Sequence, residues 1–131
     1  MSTELKPAPR SLALLWTGRV LSALPVLMLL FSASMKFTNS PELTKGMDHL
    51  GWPANAAIAL GITELVCTIL YAIPQTSVLG AILLTGYMGG AIATHARIGE
   101  AFYIQAGLGV LIWLGLYLRE PRLWAILPWR S

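Results

Sequence analysis

The stretch "ANAAIALGITELVCTILYAIPQTSVLGAILLTGYMGGAIATHA" (residues 54–96) decides the fold. It holds two apolar runs, 54–73 and 77–96, separated by little more than Pro74 and Gln75. Each run has about the length a helix needs to cross ~30 Å of hydrocarbon at ~1.5 Å per residue. A proline at the junction stops the first helix, and so short a link returns the second alongside it. The stretch therefore reads as an antiparallel pair of membrane spans.

Working outward, two more apolar runs flank this pair, at 12–37 and 102–118. "ARIGEA" (96–101) is a second short link, and "TNSPELTKGMDHLGWP" (38–53) is the one sizeable loop. Pro41, Gly46, Gly51 and Pro53 mark turns in that loop, and Trp52 suits an interfacial anchor. Composition agrees. Of 131 residues, 56% are hydrophobic and only 11% charged, against roughly a quarter charged in a soluble domain. The expectation is an all-α, polytopic membrane protein: one four-helix transmembrane domain with short loops.

The basic residues set its expected orientation. Lys6, Arg10, Arg119, Arg122 and Arg130 fall on the side of the termini; Lys45 and Arg97, with Lys36 near them, fall on the other. The positive-inside rule then places both termini in the cytoplasm and the protein in the cell (inner) membrane. The tail "LREPRLWAILPWRS" (118–131) combines Trp124, Trp129 and three arginines, as an amphipathic segment in the headgroup region would. The N-terminal run with "FSAS" loosely resembles a secretory leader. It is too long for one, and Arg19 inside it is out of place there, so it reads as a span.

Several classes of function are excluded or unsupported. No basic patch interleaved with aromatics suggests nucleic-acid binding. Cys67 is the one cysteine, which rules out a Cys-x-x-Cys pair or disulfide framework within the chain. His95 is the one histidine placed for ligation within a span, and Glu42, Asp48 and His49 are too scattered for a metal site, so no metal is expected. No complete catalytic signature is present.

What remains is a set of polar residues inside the spans, where each charge costs at least ~2.5–3.5 kcal/mol and needs a partner or a wet cavity. On the second run, Ala57, Gly61, Glu64, Cys67, Thr68 and Tyr71 share one small, polar face, and Ile58, Ile62, Leu65, Val66, Ile69 and Leu70 share the opposite one. Glu64 therefore points inward. Counting from the termini side puts Arg19 at a depth of about 10 Å and Glu64 at about 13 Å. This depth match predicts an Arg19–Glu64 ion pair as a structural tie. Tyr87, Ala91 and His95 step by four along the third run, with Tyr87 near the depth of Glu64. Glu64, Tyr87, His95, Lys36 and Gln105 are thus the candidate ligand-binding or proton-handling residues, lining one cavity from mid-membrane to its mouth. The glycines of "GYMGGAIATHARIGE" (86–100), with Gly107, Gly109 and Gly115, are expected to let helices pack closely.

"TGRVLSALPV", "FSASMKF", "GITELV" and "GYMGGAIATHARIGE" together resemble the DoxX-like family of small four-helix membrane proteins. Arg19, Lys36, Glu64, Tyr87, Gly89, Gly90, His95 and Arg97 occupy that family's characteristic positions. The resemblance implies the fold, and it implies a link to quinone chemistry: the family takes its name from a subunit of quinone-reducing sulfur metabolism, and some members are tied to catechol or hydroquinone tolerance. Others look like assembly helpers. Three readings follow: a protein binding a quinone, quinol or similar small aromatic molecule in its polar cavity; a non-catalytic accessory subunit docking on a membrane-protein partner; or a small proton-coupled transporter working as a homo-oligomer. Whether the chain is an enzyme is left open, and quinone or quinol is the one cofactor class the residues suit.

Overall fold

The computed structural model describes residues 11–53 and 55–128. Among them the chain is all-α, with five helices and no strands: α1 (Leu12–Met35), α2 (Pro41–His49), α3 (Ala56–Ala72), α4 (Ser77–Arg97) and α5 (Tyr103–Arg119). α1 packs on α3 and α5, and α4 on the same two, so the four long helices close a ring. Two helical stretches, Leu12–Met35 and Pro74–Arg97, are long and apolar enough to cross a membrane; Ala56–Ala72 and Tyr103–Arg119 are apolar but shorter.

The helix ends follow local chemistry. The Ser11 hydroxyl accepts the Leu14 amide at 3.1 Å to start α1, which then runs unbroken through Pro25. Before Pro74, Ile73 is extended, and α3 stops. A single 3-10 turn, Pro74–Thr76, reverses the chain. Thr76 Oγ1 donates to the Leu70 carbonyl (2.7 Å) and Ser77 Oγ to that of Tyr71 (2.8 Å), so the last turn of α3 finds donors in the 3-10 turn and the first residue of α4. At the other end of α4, Gly99 takes a φ of +76°. The Glu100 amide then reaches back to the His95 carbonyl (3.0 Å) and the Gly99 amide to that of Ala96 (3.0 Å). This paired closure needs a residue that tolerates the left-handed region.

The 38–53 loop is more ordered than its turn residues predict, since α2 occupies its middle. Ser40 caps that helix by accepting the Leu43 amide at 3.2 Å, Pro41 opens its first turn and Glu42 sits at its positive end. We call the end where α2 lies the cap end, and the end of the α3–α4 turn the base end.

Close packing concentrates toward the base end, and of the glycines expected to carry it only Gly115 does. A Cβ on Gly80 would fall 2.2 Å from the Tyr71 nitrogen, and one on Gly115 2.5 Å from Ser22 Oγ. Gly18 meets Gly115 and Arg119 from the other side. By contrast, a Cβ on Gly86, Gly89, Gly90, Gly107 or Gly109 would meet nothing within 4 Å. Their spacing matched a helix-contact stripe, yet no neighbour approaches there. Tyr71, fully buried, ties the base: its hydroxyl donates to the Ile112 carbonyl (2.6 Å) and lies 3.1 Å from Ser22 Oγ, joining α3, α5 and α1.

The described part of the tail packs back on the helices. Pro121–Ala125 form a 3-10 turn in which Pro121 and Leu123 are buried, and the Trp124 indole donates to the Tyr117 carbonyl at 2.6 Å. Trp129 and Arg130, like Lys6 and Arg10 of the orientation argument, lie outside the described residues.

Candidate functional site

The inward face of α3 is the one its sequence pattern draws: Ala57, Gly61, Glu64, Cys67, Thr68 and Tyr71 are its buried residues. Glu64, at mid-helix, keeps only 1% of its surface exposed. A carboxylate this deep demands partners, and it has them. Lys36 Nζ lies 2.9 Å from Oε2, the Tyr87 hydroxyl donates to the same oxygen at 3.0 Å, and Ser32 Oγ does so at 3.4 Å. Lys36 also donates to Ser32 Oγ at 2.9 Å. α1, α3 and α4 thus meet on a single oxygen atom. Its twin, Oε1, is buried and has no hydrogen-bond partner among the described residues.

The ion pair expected between Arg19 and Glu64 is replaced by Lys36–Glu64. Helix geometry explains the exchange. The buried residues of α1 are Gly18, Ser22, Pro25, Leu29 and Ala33, and steps of three and four continue that stripe through Ser32 to Lys36. Arg19 stands one residue, about 100°, off the stripe. It is exposed, with its guanidinium 4.8 Å from the Trp16 ring centroid. The depth count also erred along the axis: Ser32 is level with Glu64, while Gly18, beside Arg19, packs on Gly115 and Arg119 at the base end, about 20 Å away at ~1.5 Å per residue. Ser32, missed in the sequence, was findable as the residue one turn before Lys36.

Glu64 borders a cavity of ≈ 560 Å³ in the cap-end half of the ring. Lys36, Tyr87, His95 and Gln105 border it too, so all five candidate residues line one space. The open glycines find their place here: Gly86 and Gly90 of α4 form part of its wall. The rest is mainly apolar, with Met28, Leu29, Phe31, Leu60, Met88 and Leu108 among the lining. Such a space suits a molecule of drug or cofactor-headgroup size.

Nearer the cap end, His95 Nδ1 lies 2.8 Å from the Ala91 carbonyl, so this nitrogen carries the proton. Nε2 then offers a lone pair, and the Gln105 amide approaches it at 3.4 Å. The cavity has two polar stations: a carboxylate cluster at depth and an imidazole–amide pair toward the cap.

α2 and the residues after it cover that end. Met47, Leu50 and Trp52 line the cavity from above, and Met47 is buried. Two ties hold this cover down. Arg97 donates to the Leu50 carbonyl at 2.5 Å, beneath a Gly51 whose φ is +82°, and His49 pairs with Glu100. On the side, Phe31 and Ile104, 69% and 68% exposed, border the space between α1 and α5.

A family model described as the DoxX-like family matches residues 20–117 of the 131. The match takes in both polar stations and the cover. Comparison with curated proteins and with solved structures gives no match.

Proposed function

The chain belongs to the DoxX-like family, whose proteins are membrane proteins, and from that premise we propose that it holds a small aromatic molecule of the quinone/quinol class within the bilayer. In this reading the four long helices are all spans of the cell (inner) membrane, with both termini cytoplasmic. The exterior supports it: Leu27, Phe31, Ile62, Ile82, Ile104 and Val110 each expose half or more of their surface, more apolar exposure than a water-soluble monomer tolerates. The two 17-residue helices are about 25 Å long, at the short end of what a bilayer accepts.

The observation that carries the ligand reading is the pairing of an apolar cavity with a buried, half-satisfied carboxylate. An unsatisfied carboxylate oxygen costs about 1–3 kcal/mol or more, a cost that a site recovers when its ligand supplies the missing bond. A purely structural ion pair would gain nothing from the adjoining cavity. Phe31 and Trp52 offer aromatic faces, and Met28, Met47 and Met88 offer adaptable sulfur contacts to a ring.

Native mass spectrometry of the detergent-purified protein, with an ultraviolet–visible spectrum of the same sample, tests this. We expect a retained mass and aromatic absorbance of the quinone/quinol class that Glu64→Gln or His95→Ala removes. A clean spectrum and mass for the wild-type protein would instead favour an accessory role.

A further inference from the structure

Resting on the reading of the cavity as a binding site, we infer that the site selects the reduced, hydroxyl-bearing form of its ligand: a phenol or quinol binds, and the matching quinone binds poorly. The argument is a count of protons and lone pairs around Glu64. Lys36 has three ammonium protons, and three acceptors stand around it: Glu64 Oε2 at 2.9 Å, Ser32 Oγ at 2.9 Å and the Ser32 carbonyl at 3.5 Å. Tyr87 has one proton, and Oε2 receives it. Ser32 has one, aimed at Oε2 as well. All the protons of these three side chains are committed.

Lone pairs are left where Glu64, Tyr87 and Ser32 border the cavity. As the anionic member of the ion pair, Glu64 offers only lone pairs on Oε1, and Tyr87 retains a lone pair on its hydroxyl oxygen. A hydroxyl on an aromatic ring donates to Oε1 and completes the carboxylate. A quinone carbonyl brings only further lone pairs to the same place, so the carboxylate stays unsatisfied and faces another negative dipole. The second station does not discriminate. Gln105 directs one amide proton toward His95 and keeps another, which serves a carbonyl or a hydroxyl oxygen equally. Selection therefore falls at the buried end, where an unmade hydrogen bond is costliest.

The test compares three probes sharing one tetramethylated ring on the full-length wild-type protein in detergent: tetramethylhydroquinone, kept anaerobic, the corresponding quinone of nearly the same shape, and the bulkier dimethyl ether of the hydroquinone. Equilibrium dialysis gives each dissociation constant. A charge-assisted hydrogen bond made by one probe and missed by the others predicts that the hydroquinone binds about tenfold or more tightly than either. Glu64→Gln adds an amide donor at the same position, and the preference for the hydroquinone over the quinone shrinks to less than about threefold. Because the wild-type comparison decides the selection, a variant that folds poorly does not blunt the test. Quinone binding as tight as hydroquinone, and still weakened by Glu64→Gln, overturns the selection while the site stands. Failure of all three probes to bind overturns the site and the selection with it.

Discussion

Glu64 is where the chain places its largest local electrostatic cost, and Lys36 is the residue that offsets it. With Lys36 removed, the carboxylate stays 1% exposed without its cation. We therefore expect Lys36→Met to destabilise the protein by about 3–5 kcal/mol, and Glu64→Leu combined with Lys36→Met to recover most of that loss. Thermal unfolding in detergent, followed by tryptophan fluorescence, reads both; a double variant no more stable than the single one would mean the pair is not the cause. How far this residue could be read in advance is instructive. Its inward aim was visible in the sequence, because the polar face of α3 repeats at helical spacing and needs no partner to be recognised. Its partner was not, since choosing between Arg19 and Lys36 depends on how far α1 is slid along α3 as well as on which stripe faces it. That register is set by packing of Gly18, Ser22 and Ala33, residues too small and mild to advertise a face.

At the scale of elements, spacing alone misassigned the glycines. Gly86 and Gly90 recur every four residues as a contact stripe would, while Gly80 stands outside that stripe and Gly115 was one of three glycines expected to pack on the last helix. The structure gives the close approaches to the second pair. Gly80→Ala and Gly115→Ala should each cost about 1–3 kcal/mol, because backbone or a buried hydroxyl must move. Gly89→Ala and Gly109→Ala should stay within about 1 kcal/mol of wild type, on the stabilising side, since a helix gains from alanine and nothing is displaced. Denaturant titration of the four variants separates the two groups. α2 was hidden for a different reason. Its Ser40-Pro41-Glu42 start is a capping signal, but prolines and glycines on either side read equally well as turns. The boundaries of the four long helices, by contrast, were legible to within two residues or so, because length, proline and apolar content all agree there.

For the whole molecule, the proposed topology makes one sharp demand: cap end outside, base end inside. With Cys67 replaced by alanine, a single cysteine at Lys45 should react with a membrane-impermeant maleimide in intact cells. One at Arg122 should react only after permeabilisation. The reverse pattern would invert the protein and place the cavity on the cytoplasmic half. The cover over the cavity carries a consequence for how any such molecule would be dosed. Because α2 is fastened across the cap by Arg97 and Glu100, the route in that the exposed lining offers runs sideways past Phe31 and Ile104. A guest would then arrive by two-dimensional diffusion from the lipid, not from water. Its occupancy would track its mole fraction in the bilayer, so an aqueous dissociation constant would drift with the amount of lipid added, while the same data plotted per lipid would collapse onto one curve.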